Sequence, residues 1–440
     1  MAKNIKKRGS DYFAGKHFKN SLKLLRYFCC FIAVVSISYL LFDFSYCKPN
    51  LPAYSSLGSF PVIDKNKINQ GYTLLTPYKM NQYGKGSIYL VDLYGKPVHR
   101  WQTNYTPFYS ILKKNGNILV AIVTPGNDSN FPAGGRTGLL QELDWNSNVV
   151  WEYKNDNLHH DIEVLPNGNA AALIWEPVPK NIAKDVKGGV PNTEFKERVW
   201  SDAIIEINKS GDIIWTWHAY EHLDPKTDIL GPLTPRAEWT HANSLMYINK
   251  DPFYNEAAYL ISLREINTVA LIKKSNSRII WRSPKYMLAY QHDATLLPNG
   301  NILVFDNNIF REPNPRPLQG SRVVEIEPIE NKIVWRFDGG EAGMEKARFK
   351  ADITSGAQRL QNGNTIIING PAGHLFEITP KKQLVWDFIN PFGYNSTGPW
   401  PNTAVFKARR YGVNEINWPE KLNPPLPALS VMCQFIKRYA

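Results

Sequence analysis

Short apolar runs ending in tryptophan recur along the chain, each preceded by a polar turn and, before that, by another short apolar run. The copies are Val91–Trp101, Leu143–Trp151, Ile207–Trp215, Ile272–Trp281, Ile326–Trp335 and Ile378–Trp386. Runs this short, bounded by Gly, Pro, Asn and Asp, predict β-strands. The six tryptophans are spaced by 50, 64, 66, 54 and 51 residues. Such a period is that of four-stranded propeller blades, with inserted loops in the two longer intervals.

A second hairpin interleaves with the first and turns at Asn-Gly-Asn. It recurs at residues 115–117, 167–169, 299–301 and 362–364, each followed by an apolar strand such as Ile302–Phe305. Asn-Gly suits a tight hairpin because both residues tolerate positive φ. Each blade is then two hairpins, strands a and b around Asn-Gly-Asn and strands c and d ending at the tryptophan. The first blade has b (Tyr72–Leu75), c (Ile88–Val91) and d, but no strand a. Thr403–Tyr411, which follows the sixth tryptophan without a partner, supplies it. The expected fold is all-β: a six-bladed β-propeller over residues 71–411, closed by its C-terminal strand, with a C-terminal extension at 412–440. An open sandwich of similar hairpins leaves the last strand unexplained.

Charge adds a second element. The chain carries a formal net charge of +12, yet residues 1–26 hold eight Lys and Arg against the single acid Asp11. No basic stripe with interleaved aromatics follows that tail, so nucleic acid is not an expected partner. The apolar stretch after it, Leu24 to Phe44, is about the length that spans a bilayer core. Residues 27–47 are therefore expected to form one N-terminal transmembrane helix, an uncleaved signal anchor contacting the membrane. The basic tail 1–26 lies on the cytoplasmic side, and a linker at 48–70 leads to a propeller on the extracytoplasmic, periplasmic or lumenal, side. A cleaved signal peptide fits less well, because no Ala-x-Ala site follows Phe44. Cys29 and Cys30 fall in the span, which leaves Cys47 and Cys433 and the open question of whether they pair. No zinc, haem or CxxC spacing is present.

Strand a of a propeller blade lines the central channel. Seven residues before each Asn-Gly-Asn stand His160, His292 and Ser355, with Phe108 (or Pro107, one residue shifted) in the second blade. The fourth blade lacks the turn, but His241–Met246 matches the runs that begin at His160 and His292. Of nine histidines, three thus fall at one repeat position, which predicts a shared polar site. Any one of them alone reads as a packing residue. His159 and His160 are adjacent, and strand alternation turns only one inward; register favours His160 and leaves the choice open. Arg264 follows the His241 strand, either to join the site or to form a surface salt bridge with Glu265. Three imidazoles suit a metal ion, whereas an added guanidinium suits an oxyanion of spread charge. Sulfuryl transfer, like phosphoryl transfer, is served by positioned cations and a nucleophile in line with the leaving group.

Several phrases resemble the arylsulfate sulfotransferase (arylsulfotransferase) family: His159-His-Asp161 with Leu165–Asn169, Trp239–Ser244, Ile261–Arg264, Gln291-His-Asp293 with Phe305–Asn307, and Val405–Tyr411. The resemblance implies a six-bladed propeller that moves a sulfuryl group from a phenolic sulfate donor to a phenol acceptor, with no nucleotide donor, metal or organic cofactor. It also implies a ping-pong mechanism in which His292 is transiently sulfated, while His160, His241 and Arg264 hold the sulfate oxygens and assist proton transfer. Two departures stand beside it: residues 48–70 are too short for the family's separate N-terminal β-domain, and Arg264 is followed by Glu265 where a histidine is common. A non-catalytic, membrane-anchored propeller serving binding or assembly, and a His-ligated metalloenzyme, remain the other readings.

Overall fold

The computed structural model describes residues 62–77, 84–125, 131–311, 320–344, 349–393 and 403–422. The expected membrane span at 27–47, Cys47, Cys433 and most of the expected linker lie outside these residues. Among the described residues no helix is long and apolar enough to cross a membrane.

Six antiparallel four-stranded sheets form six blades. Their inner strands are Arg409–Gly412, Thr106–Leu112, Leu158–Val164, Ala242–Ile248, His292–Leu296 and Gly356–Arg359. Their outer strands are Pro97–Thr103, Val149–Lys154, Ile213–His218, Ile279–Arg282, Lys332–Phe337 and Leu384–Ile389. Each blade packs both of its faces on neighbours, so the middle strands carry continuous apolar runs: Ala258–Leu263 is buried at every position. Outer strands alternate, as Lys332–Phe337 does. Val62–Ile63, inside the segment expected as linker, adds a fifth strand beside Leu384–Ile389 in blade 6.

The repeated tryptophan ties each blade to the next. Indole N–H groups of Trp101, Trp151 and Trp386 donate to the carbonyls of Asp144, Lys209 and Leu93, at 3.1, 3.1 and 2.8 Å, and Trp281 donates to Asn331 Oδ1 at 2.8 Å. Each acceptor sits in the outer hairpin turn of the following blade. In blade 3 the donor is Trp217, reaching Ser277 O at 3.1 Å, while Trp215 stacks on Tyr259. The Trp335 indole N–H has no partner among the described residues.

The Asn-Gly-Asn turns hold a different conformation from the expected one. Only the glycines, Gly116, Gly168, Gly300 and Gly363, have positive φ (84–86°). Gly116 N bonds Lys113 O, and Lys113 N bonds Asn117 O. This is a three-residue loop, a type I turn closed by a left-handed glycine. The first Asn accepts the backbone N–H of the second through its side chain, as Asn362 does for Asn364 at 3.0 Å.

Arg409–Gly412 pairs antiparallel with Gly71–Leu75 and supplies the missing inner strand of blade 1. The strand is shorter than the expected Thr403–Tyr411. The residues before it cross the channel. Val405 N bonds Gly370 O and Phe406 O accepts from Ser355 N in blade 6; the Phe406 ring packs 4.7 Å from Phe108 in blade 2. Lys407 Nζ reaches Asp161 of blade 3 at 2.7 Å and Asp293 of blade 5 at 3.5 Å. Beyond the strand, Trp418 packs against Tyr72 and Glu420 accepts the Trp145 indole N–H at 3.0 Å, so the extension folds back on blades 1 and 2 as far as residue 422. The long tryptophan intervals hold insertions, whose strands Gly188–Val190 and Leu230–Pro235 pair in parallel.

Candidate active site

Contacts between blades fix which residues are equivalent. Asp161 Oδ2 accepts Leu245 N at 2.8 Å, Ser244 Oγ accepts Ala294 N at 3.1 Å and Asp293 Oδ2 accepts Ala357 N at 3.0 Å. The residue before each acceptor therefore shares one position: His160, Asn243 and His292. The expected match of His241 to the other two histidines is off by two residues, because blade 4 offers no Asn-Gly-Asn from which to count. His241 occupies the place of Tyr290, and both have left-handed backbones (φ 50° and 55°). It nonetheless enters the same site, its ring centroid 4.7 Å from that of His160.

His160 is the inward member of the adjacent pair, edged by Phe108 and Phe406. Its backbone N–H donates to Gly135 O at 2.8 Å, and a Cβ on Gly135 would stand 2.2 Å from the imidazole, so only glycine fits there. His159 turns away and stacks on Trp175 at 4.3 Å. Its Nδ1 lies 2.9 Å from His160 Nδ1, and its Nε2 lies 3.0 Å from Asp202 Oδ1, both side chains fully buried. Burial first, then repulsion from neighbouring imidazoles, His241 foremost, and from the Arg264 guanidinium, holds His160 well below the ordinary histidine range.

His241 behaves in the opposite way. Burial disfavours its charged form, but the Glu238 carboxylate, 2.6 Å from Nδ1, overcomes this and raises its pKa above 6.5. Glu238 is held by its other oxygen, which accepts the Trp175 indole N–H at 2.6 Å.

His292 is neutral. Burial first, then Arg264, push it down to about 3. Asn307 Oδ1 lies 2.7 Å from its Nδ1 and Tyr290 O lies 3.2 Å away, while Thr354 N–H donates to its Nε2 at 3.1 Å. Two acceptors at Nδ1 place the proton there and leave the lone pair on Nε2. Asn307 is itself anchored through Nδ2 to Ala351 O at 2.7 Å. Gln291, buried before His292, ties blade 5 to Ser262 and Leu263 of blade 4.

Arg264 Nη1 donates to Glu265, so the expected ion pair forms, although inside the protein: the side chains are 15% and 8% exposed. The guanidinium lies over the Tyr290 ring at 4.5 Å, and its Nε has no partner among the described residues. Glu265 also accepts from Thr234 Oγ1 at 2.7 Å, which shares its charge between two donors.

Of the four side chains singled out in the sequence, His160 and His241 meet ring to ring, and His292 and Arg264 are near enough to act on their charge; the groups that set their protons were not reached. Glu238 stands three residues before His241, and Asn307 ends a phrase already singled out. Asp202 and Thr354 carried no sequence signal. Among the described residues no group of three or more His, Cys, Asp or Glu side chains is arranged to hold a metal ion.

A family model described as Arylsulfotransferase (ASST) matches residues 112–391, which include His160, His241, Arg264 and His292. The chain belongs to the arylsulfotransferase family. It is 24% identical to arylsulfate sulfotransferase AssT of Escherichia coli O6:H1, a match covering 66% of this chain and 58% of that protein. The chain thus spans less than two thirds of that relative's length. Among solved structures, a Bacteroides caccae protein of unknown function is similar over 77% of this chain and 98% of its own, at 14% identity and TM-score 0.47. The periplasmic gluconolactonase of Pseudomonas aeruginosa is similar over 80% and 98%, at 11% identity and TM-score 0.39.

Proposed function

We propose that this arylsulfotransferase-family chain moves a sulfuryl group from an aryl sulfate ester to a phenol through a covalent intermediate on His292 Nε2. The observation that carries the proposal is the tautomer of His292. Its Nδ1 proton is committed to Asn307 and the Tyr290 carbonyl, so a lone pair on Nε2 is available beside two cations. A neutral imidazole is the nucleophilic form.

In the first half-reaction the Nε2 lone pair attacks sulfur, displacing the Thr354 N–H contact. The bond from sulfur to the aryl oxygen breaks, and its electron pair leaves on that oxygen. Protonated His241 and Arg264 hold the equatorial sulfate oxygens, where charge is spread in the transition state. His160, 4.7 Å from His241 between ring centroids, delivers a proton to the departing oxygen. The second half-reaction is the reverse with a different phenol: its oxygen attacks sulfur, its proton passes to His160, and the sulfur–nitrogen bond returns its electron pair to Nε2.

The test is burst release of 4-nitrophenol from 4-nitrophenyl sulfate, followed by transfer to phenol. His292→Ala is expected to abolish the burst and lower turnover by at least about 10³-fold. Wild-type turnover by that variant would refute the reaction and favour a binding role for the propeller. We further propose that the domain works on the extracytoplasmic side, tethered through residues 27–47. The support is the basic tail before that apolar stretch. Recovery of the full chain in the soluble fraction would refute the tether.

A further inference from the structure

Behind His160 stands a pair of buried groups that the reaction above does not use. His159 and His160 face each other through their Nδ1 atoms at 2.9 Å, a contact that needs one shared proton. On its far side His159 Nε2 lies 3.0 Å from Asp202 Oδ1, an ion-pair distance, although neither atom makes a hydrogen bond among the described residues. The other Asp202 oxygen is occupied, accepting from Thr240 Oγ1 and from Ala242 N. Among the described residues His159 is the one ion-pair partner of this carboxylate. Trp175, stacked 4.3 Å away and nearly parallel, fixes the His159 ring plane. A fully buried carboxylate is stable when a cation or donors compensate it, and here the group able to carry that charge is an imidazole one step removed from the substrate site.

We infer that His159 and Asp202 form a proton store that works through His160, so that His160 passes the leaving-group proton without holding a charge itself. The inference rests on the sulfuryl transfer proposed above. Before the first half-reaction His159 is an imidazolium beside the Asp202 carboxylate, and its Nδ1–H faces the lone pair on His160 Nδ1. His160 is neutral and carries its proton on Nε2, toward the site. When the aryl oxygen departs, the His160 Nε2 proton moves to it, and the His159 Nδ1 proton crosses to His160 Nδ1. Both rings end neutral, and His160 Nε2 bears a lone pair. In the second half-reaction the acceptor phenol gives its proton to that lone pair, and the Nδ1 proton returns to His159. No proton or electron is gained or lost over the cycle. The depressed basicity of His160 fits this division of labour, because burial first, and cationic neighbours after it, discourage charge on its own ring.

His159 and Asp202 are positioning residues on this reading, and their signature is leaving-group dependence. Single-turnover release is measured for 4-nitrophenyl sulfate, whose phenolate leaves without a proton, and for phenyl sulfate, whose phenolate needs one. Asp202→Asn and His159→Gln are expected to stay within about threefold of wild type on the first donor and to fall by about 10² or more on the second, with KM unchanged for both. Retained 4-nitrophenyl activity reports that the fold and the nucleophile are intact. Equal losses on both donors, or none on either, overturn the relay.

The wild-type protein supplies a test free of folding effects. In mixtures of light and heavy water, the phenyl sulfate burst is expected to show two protons in flight, a curved dependence on deuterium fraction; a linear one overturns the relay. His292→Ala separates the two ideas. If it remains active, the sulfuryl transfer itself is wrong. If it is inactive and the dependence is linear, only the relay fails.

Discussion

Glu238 Oε2 lies 2.6 Å from His241 Nδ1, while the partner oxygen of the same carboxylate accepts the Trp175 indole N–H. The carboxylate is thereby aimed and cannot rotate away, and it keeps His241 charged in a setting whose burial opposes charge.

Binding of the sulfate donor should therefore weaken as pH rises through the elevated pKa of His241, above 6.5. Glu238→Gln keeps an oxygen for Trp175 but removes the charge, so this loss moves to lower pH. The expected result is a donor KM raised several-fold at pH 7 and close to wild type at pH 5.5. Superimposable KM profiles for variant and wild type would show that Glu238 does not govern the charge of His241.

Ring closure offers a stability test. Arg410 is fully buried, pairs with Glu377 of blade 6 and stacks 4.3 Å over Trp386. Removing one member of a buried pair strands the other, at a cost of about 3–5 kcal/mol. Arg410→Met should lower the free energy of denaturant unfolding by that amount, whereas half-buried Lys382→Met, which loses its contact to Glu341, should change it by about 0.5 kcal/mol or less. Equal effects would mean that the seam contributes no special stability.

Glu163 lies in the channel beyond the histidines. Burial, with Asp161 nearby, pushes its carboxyl up from 4.5 to about 7. A raised folded-state value means that the folded chain binds more protons than the unfolded one between those limits, so this group's contribution is present below pH 4.5 and disappears as pH climbs past 7. Glu163→Gln accordingly should melt higher than wild type at pH 8 and match it at pH 4.5. A gap between the melting curves that does not depend on pH would rule out ionisation of Glu163 as the cause.

The architecture was legible because its signals are periodic. A tryptophan bonds the turn of the next blade in five of the six blades, and a left-handed glycine closes four of the a–b hairpins. Blade 4 dropped the glycine turn, and with it went the count that would have placed Asn243, not His241, beside His160 and His292. Blade 3 carries two tryptophans in its outer strand, and nothing in the sequence marks Trp217 over Trp215 as the one that reaches Ser277. The crossing segment 403–408 was read as strand because an apolar run looks alike whether it pairs with a sheet or fills a channel. The groups that set proton positions were illegible for another reason: Glu238 and Asn307 each act on their imidazole through one contact, and a single contact leaves no period in a sequence.

The same residues that close the ring also floor the site. Phe406 edges His160, and Lys407 and Arg409 neutralise the aspartates next to His160 and His292. During synthesis the nucleophile is made more than a hundred residues before this floor exists. A chain stopped before residue 406 holds every imidazole yet lacks the Lys407 and Arg409 that neutralise Asp161 and Asp293. On the sulfuryl transfer proposed above, a fragment lacking that strand is therefore expected to form no adduct on His292.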